Sequence, residues 1–148
     1  MGAPYSGVMN TTTSPRTITQ TGDYTTACGD LYDPERHPNE TAKLLRRDIR
    51  EAVRAGLLPA VRYSVRRGHG WSDLNISVQV DLQDWMTTRE PTASDPWSRP
   101  VYTDQAKETG RTLKGMALRY LRTTSDPHTD YHHGGHVFVS VEGGAILA

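Results

Sequence analysis

The fold class follows from two neighbouring stretches of sequence, 61-VRYSVR-66 and 74-LNISVQV-80. In each stretch apolar residues alternate with polar ones, which is typical of a β-strand with one buried face and one solvated face. The segment 68-GHGWSD-73 between them is rich in turn-forming residues. We therefore predict an antiparallel hairpin whose solvated face carries Arg62 and Arg66.

Helical periodicity flanks this hairpin on both sides. Residues 39–55 place their apolar side chains within one face at 100° per residue, with Asn39 as the predicted N-cap and Gly56 as the predicted end. A second apolar stripe predicts a helix over residues 103–122. The alternating run at 137–141 then predicts a third strand.

These elements predict an α+β fold in the order α-β-β-α-β, with a small antiparallel or mixed three-stranded sheet and both helices on one face. Residues 1–38 are rich in Thr, Ser, Gly and Pro, and we predict a flexible or irregular N-terminal lead there. Residues 39–148 are predicted to form a single α+β domain. The proline-rich connection 82–101 and the polar stretch after the second helix are expected to lack regular structure.

Composition narrows the class of protein. Hydrophobic residues make up 35% of the chain, below the usual share of about 45–50%, so part of it is expected to stay outside the core. The single cysteine, Cys28, excludes an intramolecular disulfide and a cysteine-based zinc site. No stretch approaches the roughly 20 apolar residues of a membrane span, and the first residues lack a signal-peptide pattern. We expect a cytoplasmic protein with no membrane partner.

Charge is unevenly distributed, although the formal net charge is zero. Residues 43–67 hold eight basic residues against two acidic ones, and residues 68–110 hold three basic residues against seven acidic ones. This distribution predicts a basic face and an acidic face. Candidate contacts to a protein or nucleic-acid partner lie on one face of the first helix and on the solvated face of the first strand: Lys43, Arg47, Arg50, Arg54, Arg62 and Arg66. An ordinary solvated helix face, with Arg47–Glu51 and Glu51–Arg54 pairs, is the alternative.

The three tryptophans all fall in predicted connections. Trp71 lies at the tip of the predicted hairpin and is the best candidate for a partner contact, because tryptophan is favoured as an interface anchor. Trp85 comes shortly after a predicted strand and is expected to cover the core from the side instead.

A histidine cluster is the sharpest local signal for chemistry. Four histidines lie within nine residues, with Asp126 and Asp130 beside them: His128, His132, His133 and His136. Imidazole binds zinc, nickel and copper, so a metal-dependent hydrolase or nuclease is one alternative. The spacing matches no standard metal site, however, and a polar loop explains the same residues. No metal and no other cofactor is predicted.

Catalytic motifs are absent from the sequence. It contains no G-x-S-x-G nucleophile elbow, no phosphate-binding P-loop and no dinucleotide fingerprint. Cys28 has no evident base near it. We predict no catalytic residue, and a protein that is not an enzyme fits better than one that is.

Several short motifs together resemble one of the large polyvalent protein associated domains of phages, plasmids and other mobile elements. These motifs span residues 39–141: 41-TAKLLRR-47, 61-VRYSVR-66, the strand with Ile76 and Val78, 100-PVYT-103, Tyr120 and 125-SDPHTDY-131. The chain departs from the pattern at His132, His133 and His136, where acidic, amide or aromatic residues are expected. The resemblance implies a setting in transfer or counter-defence and implies no reaction.

Three hypotheses follow. The first is a non-enzymatic interaction module of a mobile element that docks on a protein or nucleoprotein partner. The second is a metal-dependent hydrolase or nuclease that uses the loop from His128 to His136. The third is sequence-tolerant nucleic-acid binding through the stripe of Arg47, Arg50 and Arg54. The sequence does not indicate the oligomeric state.

Overall fold

The structure is a computed structural model that describes residues 16–70, 73–87, 90–126, 131–141 and 147. Nine strands and three helices lie in these residues. In chain order they are β1 (Arg16–Thr21), β2 (Tyr24–Gly29), α1 (Pro38–Arg54), β3 (Arg62–Arg67), β4 (Leu74–Gln79), α2 (Leu82–Trp85), β5 (Met86–Thr87), β6 (Val101–Tyr102), α3 (Asp104–Leu118), β7 (Arg122–Asp126), β8 (Tyr131–Gly134) and β9 (Val137–Val141).

The predicted three-stranded sheet is confirmed and is mixed. Its strand order is β3-β4-β9, with β3 and β4 antiparallel and β4 and β9 parallel. Alternate residues of these strands are buried, and α1 and α3 pack on that side of the sheet. The inward residues are Val65, Leu74, Ile76, Val78, Val137, Val139 and Val141, and they belong to one core together with helix residues such as Leu45, Ile49 and Leu113. The α+β class and the two helices on one face follow the prediction.

Helix α1 begins two residues earlier than Asn39 suggested. His37 is the N-cap, and its Nδ1 accepts a hydrogen bond from the Asn39 N–H at 3.1 Å. Pro38 is already helical because its fixed φ and missing N–H suit the first turn. The helix ends at Arg54, and Gly56 follows with a φ of +80°. That left-handed conformation agrees with the predicted role of Gly56 in ending the helix.

Helix α3 begins where the sequence indicated and ends earlier. Thr103 caps it by accepting a hydrogen bond from the Ala106 N–H at 3.2 Å. The helix ends at Leu118, whereas the prediction extended it to residue 122. After the helix the chain turns at Tyr120, and β7 begins at Arg122, which pairs with Cys28 of β2. Pairing with β2 takes the place of the last predicted helical turn.

The predicted irregular lead is wrong for residues 16–29, and the predicted polar loop before the last strand is wrong as well. These segments form a four-stranded antiparallel sheet of order β1-β2-β7-β8. Threonine favours strands, but these segments lack a clear alternation of apolar and polar residues. Thr26 pairs with Thr124, nearly a hundred positions away, and their Oγ1 atoms lie 3.1 Å apart. Residues 1–15 lie outside the described part of the chain.

The segment after β2 ties the four-stranded sheet to the end of α3. The Gly29 N–H donates to the Leu121 carbonyl at 2.8 Å, and the Leu31 N–H donates to the Arg119 carbonyl at 2.9 Å. Asp30 accepts two hydrogen bonds from the Arg119 guanidinium, at 2.9 and 2.8 Å. These hydrogen bonds from Arg119 hold the pKa of Asp30 below its usual value. Residues 29–31 therefore belong to the packed structure.

The connection 82–101 contains more regular structure than predicted. Strands β5 and β6 pair antiparallel, with Met86 opposite Tyr102 and Thr87 opposite Val101. Short α2 precedes them and places Trp85 in the core at 7% exposure. The expectation that Trp85 covers the core is confirmed. The prolines are compatible with this short ladder because they lie between its two strands.

Candidate binding surface

The predicted basic stripe of α1 divides into two parts in the structure. Arg50 and Arg54 turn toward β3, where they line a groove. The Arg47 side chain points away from this groove, and its Nη2 lies 3.2 Å from Asp48 Oδ1. This ion pair replaces the pair with Glu51 that the sequence predicted. Asp48 also accepts a hydrogen bond from the Tyr120 hydroxyl. Burial, and after it the bond to Asp48, raises the pKa of Tyr120, so this phenol stays neutral. Arg47 is thus engaged away from the groove.

A groove of about 420 Å³ lies between α1 and β3. We call it the arginine groove. Its floor and walls are apolar or aromatic, and its rim carries three guanidinium groups. The lining residues are Arg46, Ile49, Arg50, Val53, Arg54, Val61, Tyr63 and Val65. The groove arises because α1 packs on the inner side of β3 and leaves the flank of the helix uncovered. It combines apolar surface with positive charge.

A second hollow of about 410 Å³ continues the basic surface across β3. It shares Arg46, Tyr63 and Val65 with the arginine groove and adds Arg62 and Arg66. The helix arginines and the strand arginines therefore line two adjacent hollows that meet at Arg46. Lys43 is exposed on α1 but lines neither hollow. Trp71, the other predicted contact, lies outside the described residues.

Arg46 links the two hollows and was missed by the sequence reasoning. Its Nε and Nη2 donate to the Val65 carbonyl oxygen at 3.2 and 2.7 Å, so the guanidinium lies against β3. Arg46 precedes Arg50 by four residues, which places both on the same helix flank. That spacing was the available signal. The sequence pattern favoured Arg47 instead because it continued the more exposed stripe.

The positive charges of the remaining arginines of this surface are not balanced by an acidic or hydrogen-bonding partner within the described part of the chain. The side chains of Arg50, Arg54, Arg62 and Arg66 make no hydrogen bond or ion pair there. By contrast, Arg111 on α3 pairs with Glu108 at 2.7 Å. Clustered guanidinium groups without internal acceptors attract anionic groups, and they bind carboxylates in a bidentate way.

Strand β3 is an edge of its sheet, and its free edge lies beside the arginine groove. In the described part of the chain its only strand partner is β4. The other edge strand, β9, is different because the Leu147 N–H donates to the Val139 carbonyl at 2.6 Å. An edge with unpaired backbone groups is a template for an added strand. The arginine groove lies beside this edge, and a strand that pairs along all of β3 would have to displace the Arg46 guanidinium from the Val65 carbonyl.

Tyr63 forms a wall between the two hollows. It is half-buried, and its hydroxyl donates to the Pro59 carbonyl at 2.7 Å. Burial raises its pKa from 10.0 to about 12. At neutral pH the ring is therefore uncharged and offers an apolar surface that does not repel an acidic ligand.

The raised pKa of Tyr63 makes stability fall in alkali. An unfolded tyrosine ionises near pH 10, whereas the folded one keeps its proton to about pH 12. The contribution to stability is present below pH 10 and is lost as the pH rises toward 12, since the unfolded state alone releases a proton. We expect the free energy of unfolding, measured by denaturant titration between pH about 9 and about 11.5, to fall less steeply in Tyr63→Phe than in wild type. Parallel curves for the two proteins would contradict this.

The structure describes the histidine cluster only in part. His128 lies outside the described residues, and His132 and His133 fall in β8. His136 contacts Asp73, since its backbone N–H donates to Asp73 Oδ1 at 3.0 Å and its Nδ1 lies 3.3 Å from the same oxygen. Among the described residues, no three His, Cys, Asp or Glu side chains lie close enough together to hold a metal ion. His136 therefore serves as a link between β9 and the β3–β4 turn.

The chain was compared with protein-family models, with curated proteins and with solved structures, and none of the three comparisons finds a match. Within the described ranges, none of the helices has the length and apolar character needed to cross a membrane.

Proposed function

We propose that this chain is a non-enzymatic interaction module that docks on a protein partner by receiving an extended acidic segment in the arginine groove. The observation that carries the proposal is the position of three arginines beside an apolar groove and an open strand edge. The resemblance of residues 39–141 to a domain of mobile elements supports a setting in a phage or plasmid, where the partner is a protein or a nucleoprotein of transfer or counter-defence.

The apolar lining of the arginine groove favours a peptide over a phosphate backbone as its occupant. Ile49, Val53, Val61 and Tyr63 offer surface that an aliphatic side chain buries favourably, and phosphate gains nothing from it. An extended strand that pairs with β3 points alternate side chains to opposite faces. A segment that alternates acidic and aliphatic residues would therefore lay its aliphatic set on the groove floor and turn its acidic set toward Arg62 and Arg66. The arginines on the rim of the groove attract the negative charge of the segment as a whole.

A labelled peptide of alternating Glu and Val, with the same length as the six-residue strand β3, tests this proposal. We expect saturable binding by fluorescence anisotropy, weakened about tenfold or more by Arg50→Glu with Arg54→Glu, because two attractions become repulsions. Arg99→Glu with Lys107→Glu is the matched control, since it changes the net charge equally at residues outside the groove. We expect this control to bind nearly as wild type.

Two further peptides separate strand addition from simple charge attraction. Methylation of alternate backbone nitrogens removes donors to β3 and is expected to abolish binding, while the charge stays the same. A peptide of glutamates alone lacks the aliphatic residues and is expected to bind more weakly. Equal binding of all three peptides, or equal weakening by the groove variant and its control, would refute docking at β3.

A further inference from the structure

The outer face of the β3-β4-β9 sheet carries a second pattern, which does not depend on the arginine groove. We define the outer face as the residues that alternate with the buried ones on these three strands: Arg62, Ser64, Arg66, Asn75, Ser77, Gln79, Phe138 and Ser140. The face is polar except for Phe138, which is 42% exposed. The outer face thus presents an aromatic ring on a polar, basic surface.

The register of the sheet places three different groups in one row. Arg66 pairs with Asn75, and Asn75 pairs with Phe138. Paired residues on neighbouring strands lie close enough for their side chains to contact the same small molecule. Arg62 and Gln79 form a parallel row nearer the other end of β3. A guanidinium, an amide and an aromatic ring therefore cross the sheet side by side.

Phe138 is part of a fixed ring pair. The His136 imidazole stacks on it, with ring centroids 6.0 Å apart and an interplanar angle of 15°. His136 is itself held by Asp73 through its backbone N–H and its ring. Two rings oriented in this way form a shelf before any ligand arrives, which lowers the entropy cost of stacking a planar ligand on it.

We propose that the outer face binds single-stranded nucleic acid, with a base stacked on the shelf of Phe138 and His136. Unpaired bases stack on aromatic side chains, and their edges form hydrogen bonds with amides such as Asn75 and Gln79. The phosphates then meet Arg62 and Arg66, whose side chains have no partner within the described residues. A duplex keeps its bases inside the stack and cannot use the shelf.

Labelled oligo(dT), oligo(U) and a DNA duplex of the same length provide the probes, with fluorescence anisotropy as the readout. We expect single strands to bind more tightly than the duplex. Phe138→Ala should weaken single-strand binding about tenfold, because base stacking is removed, whereas Phe138→Tyr should restore it. Phe138 is already exposed, so its replacement leaves the core intact. Circular dichroism checks the fold of each variant.

The salt dependence tests the arginines separately. Arg62→Ala with Arg66→Ala is expected to lower the slope of log affinity against log salt by about 1.4, since each phosphate contact to a single strand contributes about 0.7. Phe138→Ala is expected to leave that slope unchanged.

Three outcomes would overturn the proposal: no binding of single strands, equal binding of strand and duplex, or unchanged binding in Phe138→Ala. Loss of acidic-peptide binding in Phe138→Ala, with no oligonucleotide binding, would assign the outer face to a protein ligand instead. Peptide docking at the groove is measured independently, so either proposal can fail without the other.

Discussion

Gly29→Ala is expected to separate the four-stranded sheet from the C-terminal end of α3 and to lower the free energy of unfolding by about 3 kcal/mol. A methyl group at this position would overlap the backbone of Leu118 and Arg119. Backbone atoms cannot move aside as a flexible side chain can. The hydrogen bonds of Gly29 to Leu121 and of Leu31 to Arg119 would lengthen together. Denaturant titration measures the loss.

Gly22→Ala is the matched control for this substitution. Gly22 lies in the turn of the same hairpin with a φ of +60°, and an added methyl group meets nothing within 4 Å. Its cost is the left-handed backbone alone, about 1–2 kcal/mol. Hydrogen exchange should show that Gly29→Ala exposes amides of β2 and β7, whereas Gly22→Ala affects only the turn. If the two variants behaved alike, the contact of Gly29 with α3 would not be important.

Leu45→Ala is expected to cost about 2–5 kcal/mol, because a fully buried side chain is removed from the centre of the core. Leu45 belongs to the helix face that packs on the three-stranded sheet, and the shortened side chain leaves a cavity that the β-sheet cannot fill. A loss of this size is a large share of the stability of a typical domain. The thermal midpoint and the denaturant midpoint should both fall.

Leu44→Ala provides the comparison on the neighbouring residue. Leu44 is only half-buried, so the same truncation removes less buried surface. We expect its effect on the free energy of unfolding to be less than half that of Leu45→Ala. A larger effect at Leu44 would mean that α1 is rotated relative to the sheet, and the position of the arginine groove would then be wrong as well.

The central sheet and its two helices were predictable because their signals are local. The alternation at β3 and β4 and the helical period of α1 each lie within one segment, and the burial of Leu45 and Ile76 follows from them. The four-stranded sheet was not predicted, since its strands are polar on both faces and pair over long distances. One signal was overlooked: the two residues Gly22-Asp23 between threonine-rich segments are typical of a tight hairpin turn.

The basic surface was predicted in composition but not in arrangement. Arg50, Arg54, Arg62 and Arg66 were identified from charge and periodicity, and the structure places them around two connected hollows. The roles of Arg46 and Arg47 were not predictable, because which helix flank faces β3 depends on how α1 docks. The exposed position of Phe138 was not predictable either. Apolar residues occupy both faces of β9, and only its pairing with β4 decides that the valines point inward.

The open edge of β3 also affects how copies of this protein behave toward one another. Unpaired strand edges promote edge-to-edge aggregation, and natural proteins commonly protect them with charged residues. Here a second copy would bring Arg62 and Arg66 against the same arginines. Like charges therefore oppose edge-to-edge pairing of identical molecules, whereas an acidic strand would meet no such repulsion. The surface that we assign to recognition is thus also a safeguard against fibril formation.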